Sequence, residues 1–237
     1  MKKHPILSVI IPVYNEKDYI AECIKMVKSE TKDKLLNFKI TKQIIVVDDG
    51  STDGSWDIIK KFKGIKKIRH EKNKGKGAGI KTALPHCIGK YTIIQDADSE
   101  YKSSDYPLML YPASIGFKAI IGSRRMNPHN ECNRNSKFSF FLGGNILTWF
   151  ANTLYGTHVN DWWCGYKCID TKLLKSLDLQ SDGFETCAET VAKLAKRKVS
   201  MYNIPVFYYP RVKGKKIKWK DGLKLAWCLI EQKWFKK

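Results

Sequence analysis

Two aspartates separated by one alanine, Asp96-Ala97-Asp98, form the residue group with the most obvious chemistry in this sequence. They follow residues 91–95, an apolar run that predicts a buried strand. Where a strand passes into a loop, two such carboxylates can converge on one hard cation. Mg²⁺ or Mn²⁺ would accept these oxygens, keep several waters and take diphosphate oxygens as further ligands. The alternative interpretation is that both aspartates only cap the loop.

A second acidic segment, DDGSTDG, begins at Asp48 and Asp49 directly after the apolar residues 43–47. Carboxylates in this position could accept hydrogen bonds from a nucleobase N–H or from ribose hydroxyls. The same residues also suit a turn and a helix N-cap before Ser55. Both interpretations stay open at this point.

A glycine-rich segment, Lys74-Gly75-Lys76-Gly77-Ala78-Gly79, precedes a predicted helix. Backbone N–H groups at a helix N-terminus can bind phosphate, so the segment resembles a phosphate-binding loop. It matches neither the P-loop pattern nor the dinucleotide-binding GxGxxG pattern after a first strand. The alternative is a flexible turn.

These groups need a framework that brings them together, and the apolar pattern predicts one. Buried strands are expected at residues 7–13, 43–47, 67–70 and 91–95, with helices after Asp18, at 55–62 and from 79 to about 87. The first of these helices is expected to have Asp18 as its N-cap and carries Ile20, Cys23, Ile24 and Val27 on one face. Strands that alternate with helices predict an α/β fold with a mostly parallel sheet. In such sheets ligands bind beyond the carboxyl ends of the strands, where the acidic and glycine residues lie.

The second half of the chain continues the α/β pattern without a repeat, a linker or a clear boundary. Strands are expected at residues 119–123 and 201–208, helices at 140–154 and 185–195, a polar loop at 126–137 and an irregular aromatic segment at 161–168. A single fused domain is therefore expected.

Composition limits the function classes. The 237 residues are 43% apolar, which argues against disorder, and they contain no run of about 18 apolar residues that would predict a transmembrane helix. The N-terminus lacks the features of a signal peptide. Seven scattered cysteines without metal-ligand spacing indicate reduced thiols and a cytoplasmic location. The net charge of +20 favours polyanionic partners, namely nucleic acid, anionic lipid or phosphorylated substrates.

Taken together and in order, the motifs resemble one family. The sequence contains PVYNE at 12–16, VDDGSTD at 47–53, GKGA at 75–78 and DAD at 96–98, followed by GSR at 122–124, CGYK at 164–167 and YYPR at 208–211. This series is similar to family 2 glycosyltransferases with the GT-A fold, over roughly residues 6–225. The branch that resembles it most is the dolichyl- or polyprenyl-phosphate hexose synthases.

The resemblance implies roles for residues of the first half, 1–115, which would bind the nucleotide sugar. Residues that would line the donor site are Pro12, Tyr14, Glu16, Asp48, Asp49, Lys76, Gly77 and Asp96. Asp98 would ligate Mg²⁺ or Mn²⁺, with Asp96 near its waters. Glu100 stands where this branch often has a metal-binding Gln, so the sequence departs from the family pattern at that ligand.

In the same way, residues 116–212 would bind the acceptor. Arg124 and Arg134 match arginines that meet phosphate groups in the lipid-phosphate branch, and Arg211 matches one near the diphosphate. Lys167 stands where those enzymes often carry Arg, so a bidentate phosphate contact would become a point-charge contact.

The chemistry implied is inverting transfer of a hexose from a nucleotide diphosphate sugar such as UDP-glucose, GDP-mannose or UDP-GlcNAc. A metal ion and Arg211 would stabilise the charge on the departing nucleotide. A hydroxyl acceptor on a glycan or protein would need a general base, for which Asp161 and Glu189 are the candidates. A polyprenyl phosphate is already anionic and would need none. Otherwise Asp161 would only order its loop and Glu189 would face solvent.

The tail, residues 213–237, is rich in Lys and Trp. Trp219, Leu223, Trp227, Ile230 and Trp234 recur at helical spacing. Such a helix could lie on an anionic membrane as a peripheral contact or pack its apolar side onto the domain. Nucleic-acid binding is a remote alternative, because no recognition motif is present and the acidic strand ends would repel phosphates.

Overall fold

The computed structural model of the chain describes residues 6–29, 32–33, 38–127, 138–210 and 219–235. The strands in these ranges are β1 (Leu7–Val13), β2 (Lys32–Asp33), β3 (Phe38–Lys39), β4 (Lys42–Asp48), β5 (Lys66–Arg69), β6 (Tyr91–Ile94), β7 (Ala119–Ser123), β8 (Lys167–Asp170) and β9 (Met201–Pro205). The helices are α1 (Ile20–Lys28), α2 (Ser55–Lys61), α3 (Lys76–Ala83), α4 (Tyr106–Ser114), α5 (Phe138–Tyr155), α6 (Thr171–Ser176), α7 (Thr186–Lys196) and α8 (Trp219–Trp234).

Seven strands form one sheet in the order β5-β4-β1-β6-β8-β7-β9. The pairs β1–β4, β1–β6, β4–β5 and β7–β9 are parallel, whereas β8 runs antiparallel to both of its neighbours. The predicted mostly parallel α/β sheet is confirmed. The insertion of β8 between β6 and β7 joins the two halves of the chain in one sheet.

Helices cover both faces of this sheet, so successive β1 side chains are buried on alternate sides. Val9 and Ile11 pack in a core cluster with residues of α1, α2 and α4, while Ile10 packs with α3 and α6. A third cluster forms where α5, α7 and α8 meet around the fully buried Trp162. Apolar burial on both faces explains the continuous runs of β-branched residues in the central strands.

Several details differ from the sequence-based expectations. Helix α1 begins at Ile20 with Tyr19, not Asp18, at its N-cap, although its predicted apolar face is buried. Residues 167–170 form strand β8 instead of continuing the irregular aromatic segment, because their backbone pairs with β6 and β7. Strand β9 ends at Pro205, and only an isolated bridge at Tyr208 follows it.

Among the described residues, no helix is both long and apolar enough to cross a bilayer. The predicted polar loop falls largely on residues outside the described ranges, as do Arg134 and Arg211.

Candidate functional site

The site lies where β1, β4 and β6 end, and its first wall is made of two loops joined to each other. The backbone N–H groups of Asn15 and Glu16 donate to the hydroxyls of Ser51 and Ser55 at 3.0 and 2.9 Å. In return, the side-chain oxygen of Asn15 accepts the N–H of Thr52 at 2.9 Å. Ser51 and Thr52 of the DDGSTDG segment, with Ser55 directly after it, therefore hold the loop that carries the predicted donor residues.

Of the predicted donor residues on β1 and its loop, Glu16 is buried, Pro12 is partly buried and Tyr14 is 37% exposed. Pro12 lies beneath helix α3, since a methyl group on Gly79 would come within 3.4 Å of its Cβ. These three residues line the same edge of the sheet as the acidic groups. Their predicted contacts with a nucleoside stay predictions.

Asp49 connects this wall to the glycine segment. Its Oδ1 accepts hydrogen bonds from His70 Nδ1 at 2.6 Å and from the Lys74 N–H at 2.9 Å. Its Oδ2 accepts the Gly75 N–H at 2.7 Å. A carboxylate offers about four acceptor positions, and the described residues use three of those on Asp49, which is 2% exposed.

Asp48 has a different environment. Its carboxylate is fully buried and lies 3.1 Å from Nε of Arg69 at the end of β5. Neither Asp48 oxygen has a well-aligned hydrogen-bond partner in the described part of the chain. The two adjacent aspartates of the motif therefore face different surroundings.

The glycines of the 74–79 segment are explained by close packing against residues 181–183. A methyl group on Gly77 would lie 2.2 Å from the Ser181 carbonyl oxygen, and one on Gly75, where φ is +105°, would lie 2.4 Å from that of Asp182. The Ala78 N–H donates to the Asp182 carbonyl at 3.1 Å. One of the N–H groups expected to bind phosphate is thus already used by the protein, and binding of a donor by Gly77 stays a prediction.

Lys76 and Asp96 form an ion pair in the middle of the site. The Lys76 ammonium donates to Oδ1 of Asp96. Burial alone would lower the pKa of Lys76, but the Asp96 carboxylate outweighs this effect and raises that pKa above its ordinary value. Gly165 lies against the pair, since a methyl group there would be 2.9 Å from Asp96 Oδ2 and 3.3 Å from Lys76 Nζ.

Asp98 and Glu100 complete an acidic cluster next to this pair. Asp98 Oδ1 accepts the Glu100 N–H at 3.2 Å, and Glu100 Oε2 accepts the Tyr208 hydroxyl at 2.7 Å. Burial and then the charges of Glu100 and Asp98 raise the pKa of Tyr208. Burial and then the charges of Asp98 and Asp96 likewise raise the pKa of the Cys23 thiol. Asp98 therefore lies near enough to influence both Tyr208 and Cys23.

The chemistry of this cluster fits a divalent cation. Asp98 and Glu100 are only partly buried and present carboxylate oxygens, which are the ligands that Mg²⁺ and Mn²⁺ prefer. No cluster of three or more His, Cys, Asp or Glu side chains with metal-binding geometry occurs in the described ranges. A cation here would therefore need waters or diphosphate oxygens as its remaining ligands, as expected for Mg²⁺.

Arg124 and Asp161, both in the half predicted to bind the acceptor, form a second ion pair. Arg124 Nε and Nη2 donate to the two oxygens of Asp161 at 2.7 and 2.9 Å. Burial alone would raise the pKa of Asp161, but the guanidinium outweighs it and holds that pKa below its usual range. The Arg124 guanidinium also lies 5.4 Å from the ring of Tyr208, which links this pair to Glu100.

Two other predicted residues lie in strongly structural positions. Lys167 is 1% exposed on β8 and its ammonium donates to the Cys164 carbonyl, so phosphate binding by Lys167 would require this buried side chain to become accessible. Glu189 is fully buried on α7, which corrects the expectation that it would face solvent. Its oxygens accept the N–H groups of Gln180 and Ser181 at 2.8 Å each. Glu189 therefore holds the loop that packs against the glycine segment.

Three residues of this site escaped the sequence-based assignment. His70 is buried between Asp49 and Thr82 Oγ1, at 2.6 and 2.9 Å. Tyr208 and Gly165 lie within the YYPR and CGYK motifs, so their positions were marked but not their contacts. His70 belongs to no recognised motif, and only the fold brings it to Asp49.

Comparison with known proteins is consistent with this geometry. The model of the family "Glycosyl transferase family 2" matches residues 8–172. Glycosyltransferase AglJ of Haloferax volcanii is 27% identical over 88% of this chain and 64% of its own length. Dolichyl-phosphate beta-glucosyltransferase ALG5A of Trichomonas vaginalis is 27% identical over 95% of this chain and 72% of its own. The chain thus spans less than two thirds of the length of AglJ.

Among solved structures, glucosyl-3-phosphoglycerate synthase from Mycobacterium tuberculosis in complex with UDP has a TM-score of 0.72 at 15% identity, covering 96% of this chain and 80% of that one. The same enzyme with Mn²⁺, UDP and glucosyl-3-phosphoglycerate has a TM-score of 0.67. At this identity the likeness shows a shared fold, that of the GT-A glycosyltransferases.

Proposed function

The chain belongs to glycosyl transferase family 2, and from this premise we propose that it transfers a hexose, with inversion, from a nucleotide diphosphate sugar to a polyprenyl or dolichyl phosphate. The observation that carries the proposal is the Lys76–Asp96 ion pair at the carboxyl edge of the sheet, followed in the same loop by the partly buried carboxylates of Asp98 and Glu100. UDP-glucose and GDP-mannose are the candidate donors. UDP is the nucleotide bound by the Mycobacterium tuberculosis synthase.

On the donor side, the chain's own residues would bind and orient the nucleotide. The remaining acceptor position of Asp49 suits an N–H of the base or a ribose hydroxyl. Asp98 and Glu100 would hold Mg²⁺ or Mn²⁺, with Asp96 near its waters. A cation bound there would supply positive charge to the diphosphate as it leaves.

The Lys76 ammonium would add positive charge at the same edge. Its ion pair with Asp96 and the close contact with Gly165 keep the side chain in a defined position. A charge fixed in place before the reaction needs no reorganisation when the leaving group becomes more negative. Arg211, outside the described residues, would act near the diphosphate in the same sense.

On the acceptor side, the ion pairs support an acceptor that is already anionic. The carboxylate of Asp161 is bound by Arg124 and that of Glu189 by Lys193 and two backbone N–H groups. Carboxylates held in this way are poor general bases. A lipid phosphate needs no base, and Arg124, with Arg134 and Lys167, would meet its phosphate. The relative ALG5A is named a dolichyl-phosphate beta-glucosyltransferase, which indicates a lipid phosphate acceptor for that protein.

The test begins with nucleotide binding. Thermal unfolding is measured with UDP or GDP, each with and without Mn²⁺, for the wild type, Asp98→Asn and the control Asp57→Asn. Asp57 is a carboxylate of α2 that pairs with Lys60 on the surface. A nucleotide at about 100 times its Kd should stabilise the wild type by about 2.7 kcal/mol, which corresponds to about 5–10 °C in Tm.

Asp98→Asn should lose the Mn²⁺-dependent part of this shift and all measurable transfer, whereas Asp57→Asn should keep both. Transfer to a short polyprenyl phosphate is then compared with transfer to the corresponding alcohol. Full turnover by Asp98→Asn in EDTA would contradict the metal assignment. Equal use of the alcohol would instead indicate a transferase that acts on hydroxyl groups of a glycan or protein.

A further inference from the structure

We infer that the outer side of α8, together with exposed apolar residues of α5, is a docking face for an anionic lipid bilayer. This membrane face consists of Leu223, Trp227 and Trp234 of α8 with Ile146 and Trp149 of α5. The inference rests on the proposed function only in that a lipid acceptor resides in a bilayer. Binding to vesicles can be measured without any sugar nucleotide.

The described side chains of α8 pack on the domain through one side of the helix. Cys228, Leu229 and Gln232 are buried, and the hydroxyl of Tyr155 on α5 donates to the Leu229 carbonyl at 2.7 Å. Leu223, Trp227 and Trp234 are 64%, 62% and 62% exposed. At 3.6 residues per turn, positions 223, 227 and 234 lie on one stripe of the helix. Inward packing and an apolar outer stripe are therefore both present.

Exposed apolar side chains continue on α5. Ile146 and Trp149 are 56% and 69% exposed. A methyl group on Gly222 would lie 3.8 Å from Leu147 Cδ1, so α5 and α8 meet next to Ile146 and Leu223. Trp149 also lines a cavity of about 410 Å³ with Arg125 and Met126. Docking through Trp149 would bring the rim of this cavity to the lipid.

Charge complementarity selects an anionic bilayer as the occupant. The segment 213–237 contains nine lysines and two acidic residues. In the helical projection, Lys224 and Lys233 lie on opposite flanks of the apolar stripe. Trp rings settle at headgroup depth, and basic residues beside them are attracted to anionic headgroups. A second copy of the chain would bring the same basic segment against itself, which like-charge repulsion disfavours.

The experiment uses the full chain and sedimentation with vesicles of phosphatidylcholine containing 30% phosphatidylserine or none. The double variant Leu223→Ser/Trp227→Ser is compared with Tyr111→Ser/Ile115→Ser. Tyr111 and Ile115 are 46% and 62% exposed at α4 and form the matched control. Because all four side chains are exposed, both variants should fold, which circular dichroism checks.

The wild type and the control variant should bind the anionic vesicles equally, and Leu223→Ser/Trp227→Ser should bind at least tenfold more weakly. Lys224→Gln should weaken binding about fivefold, the equivalent of about 1 kcal/mol for one basic residue near such a surface. Binding should fall at 0.5 M salt, because screening shortens the electrostatic reach.

Two results would overturn the inference. One is unchanged vesicle binding by the folded Leu223→Ser/Trp227→Ser variant. The other is a wild-type dimer that ignores vesicles and becomes monomeric in this variant, which would make the face an interface between copies. UDP- and Mn²⁺-dependent stabilisation should be the same in all variants. If the wild type itself showed no stabilisation by UDP and Mn²⁺, this would count against the proposed function and leave the vesicle result intact.

Discussion

Replacing Asp161 by Asn separates a structural role of this carboxylate from a catalytic one. Asp161 is fully buried, and three N–H groups of Arg124 donate to it: the backbone N–H at 3.3 Å, Nε at 2.7 Å and Nη2 at 2.9 Å. Asparagine keeps the shape but removes the charge. It also turns one acceptor into an NH₂ group that faces the guanidinium donors.

The expected cost follows from the burial of the two partners. Removing one member of a buried ion pair costs about 3–5 kcal/mol, because the other charge is left uncompensated. The Arg124 side chain is 25% exposed, so water can partly solvate it and the lower end applies, about 3 kcal/mol. For a chain of 237 residues this loss corresponds to a Tm decrease of about 6–12 °C. Replacing both residues by Leu should cost less than this single change, because no buried charge is then left unpaired.

The pH dependence gives an independent check. The pKa of Asp161 is lowered in the folded protein, so the pair stabilises the fold above the ordinary Asp value of about 3.9. This stabilisation is lost as the pH falls through the folded-state pKa. The difference in Tm between the wild type and Asp161→Asn should therefore be constant from pH 5 to 8 and shrink below about pH 4.

The assay combines urea unfolding followed by circular dichroism with transfer rates well below the variant's Tm. We expect Asp161→Asn to be destabilised but to retain transfer to a lipid phosphate within about tenfold of the wild type. A variant as stable as the wild type but without transfer would refute this reasoning. It would assign Asp161 the role of general base instead.

Three further changes test other parts of the site. Burial raises the pKa of Asp105 to about 6, so between about pH 4 and 6 the folded form keeps a proton that the unfolded form has lost, and stability should fall as the pH rises through this range. Asp105→Asn should therefore stabilise the protein by up to about 3 kcal/mol at pH 7.5, seen as a higher Tm, and the gain should disappear below about pH 3.5. Gly165→Ala would place a methyl group 2.9 Å from Asp96, so binding of UDP with Mn²⁺ should weaken at least tenfold by calorimetry, whereas Gly143→Ala, with nothing within 4 Å, should leave it unchanged. Glu189→Gln should lower stability by about 3 kcal/mol in urea unfolding, because the buried ion pair with Lys193 is lost and the hydrogen bonds to two backbone N–H groups are weakened. It should not remove transfer at low temperature, and loss of transfer without loss of stability would point to catalysis.

Strands β1, β4 and β6 were predictable because their information is local. A strand buried on both faces needs a short, continuous apolar run, and residues 7–13, 43–47 and 91–95 supply it directly. The acidic groups follow at the ends of these strands, and parallel pairing brings those ends to one edge. The carboxylates and their common location could therefore be inferred from the order of motifs along the chain.

The partners of these residues depended on contacts between distant parts of the chain. The sequence pattern did not predict strand β8. Its backbone is extended because it pairs on both sides, with β6 and with β7, and these partners come from distant parts of the chain. Gly77 is small because residues 181–183 lie against it, more than a hundred positions away. No local pattern encodes such a neighbour.

The sequence by itself determined the α/β fold, the family and the set of charged residues at the carboxyl edge of the sheet. Only the tertiary structure decided which charges are paired: Lys76 with Asp96, Arg124 with Asp161, and Glu189 with Lys193. The physical reason is that a charged side chain is identified by its type, whereas its role depends on burial and on the opposite charge beside it. Both are set when distant segments pack together, which occurs only in the folded chain.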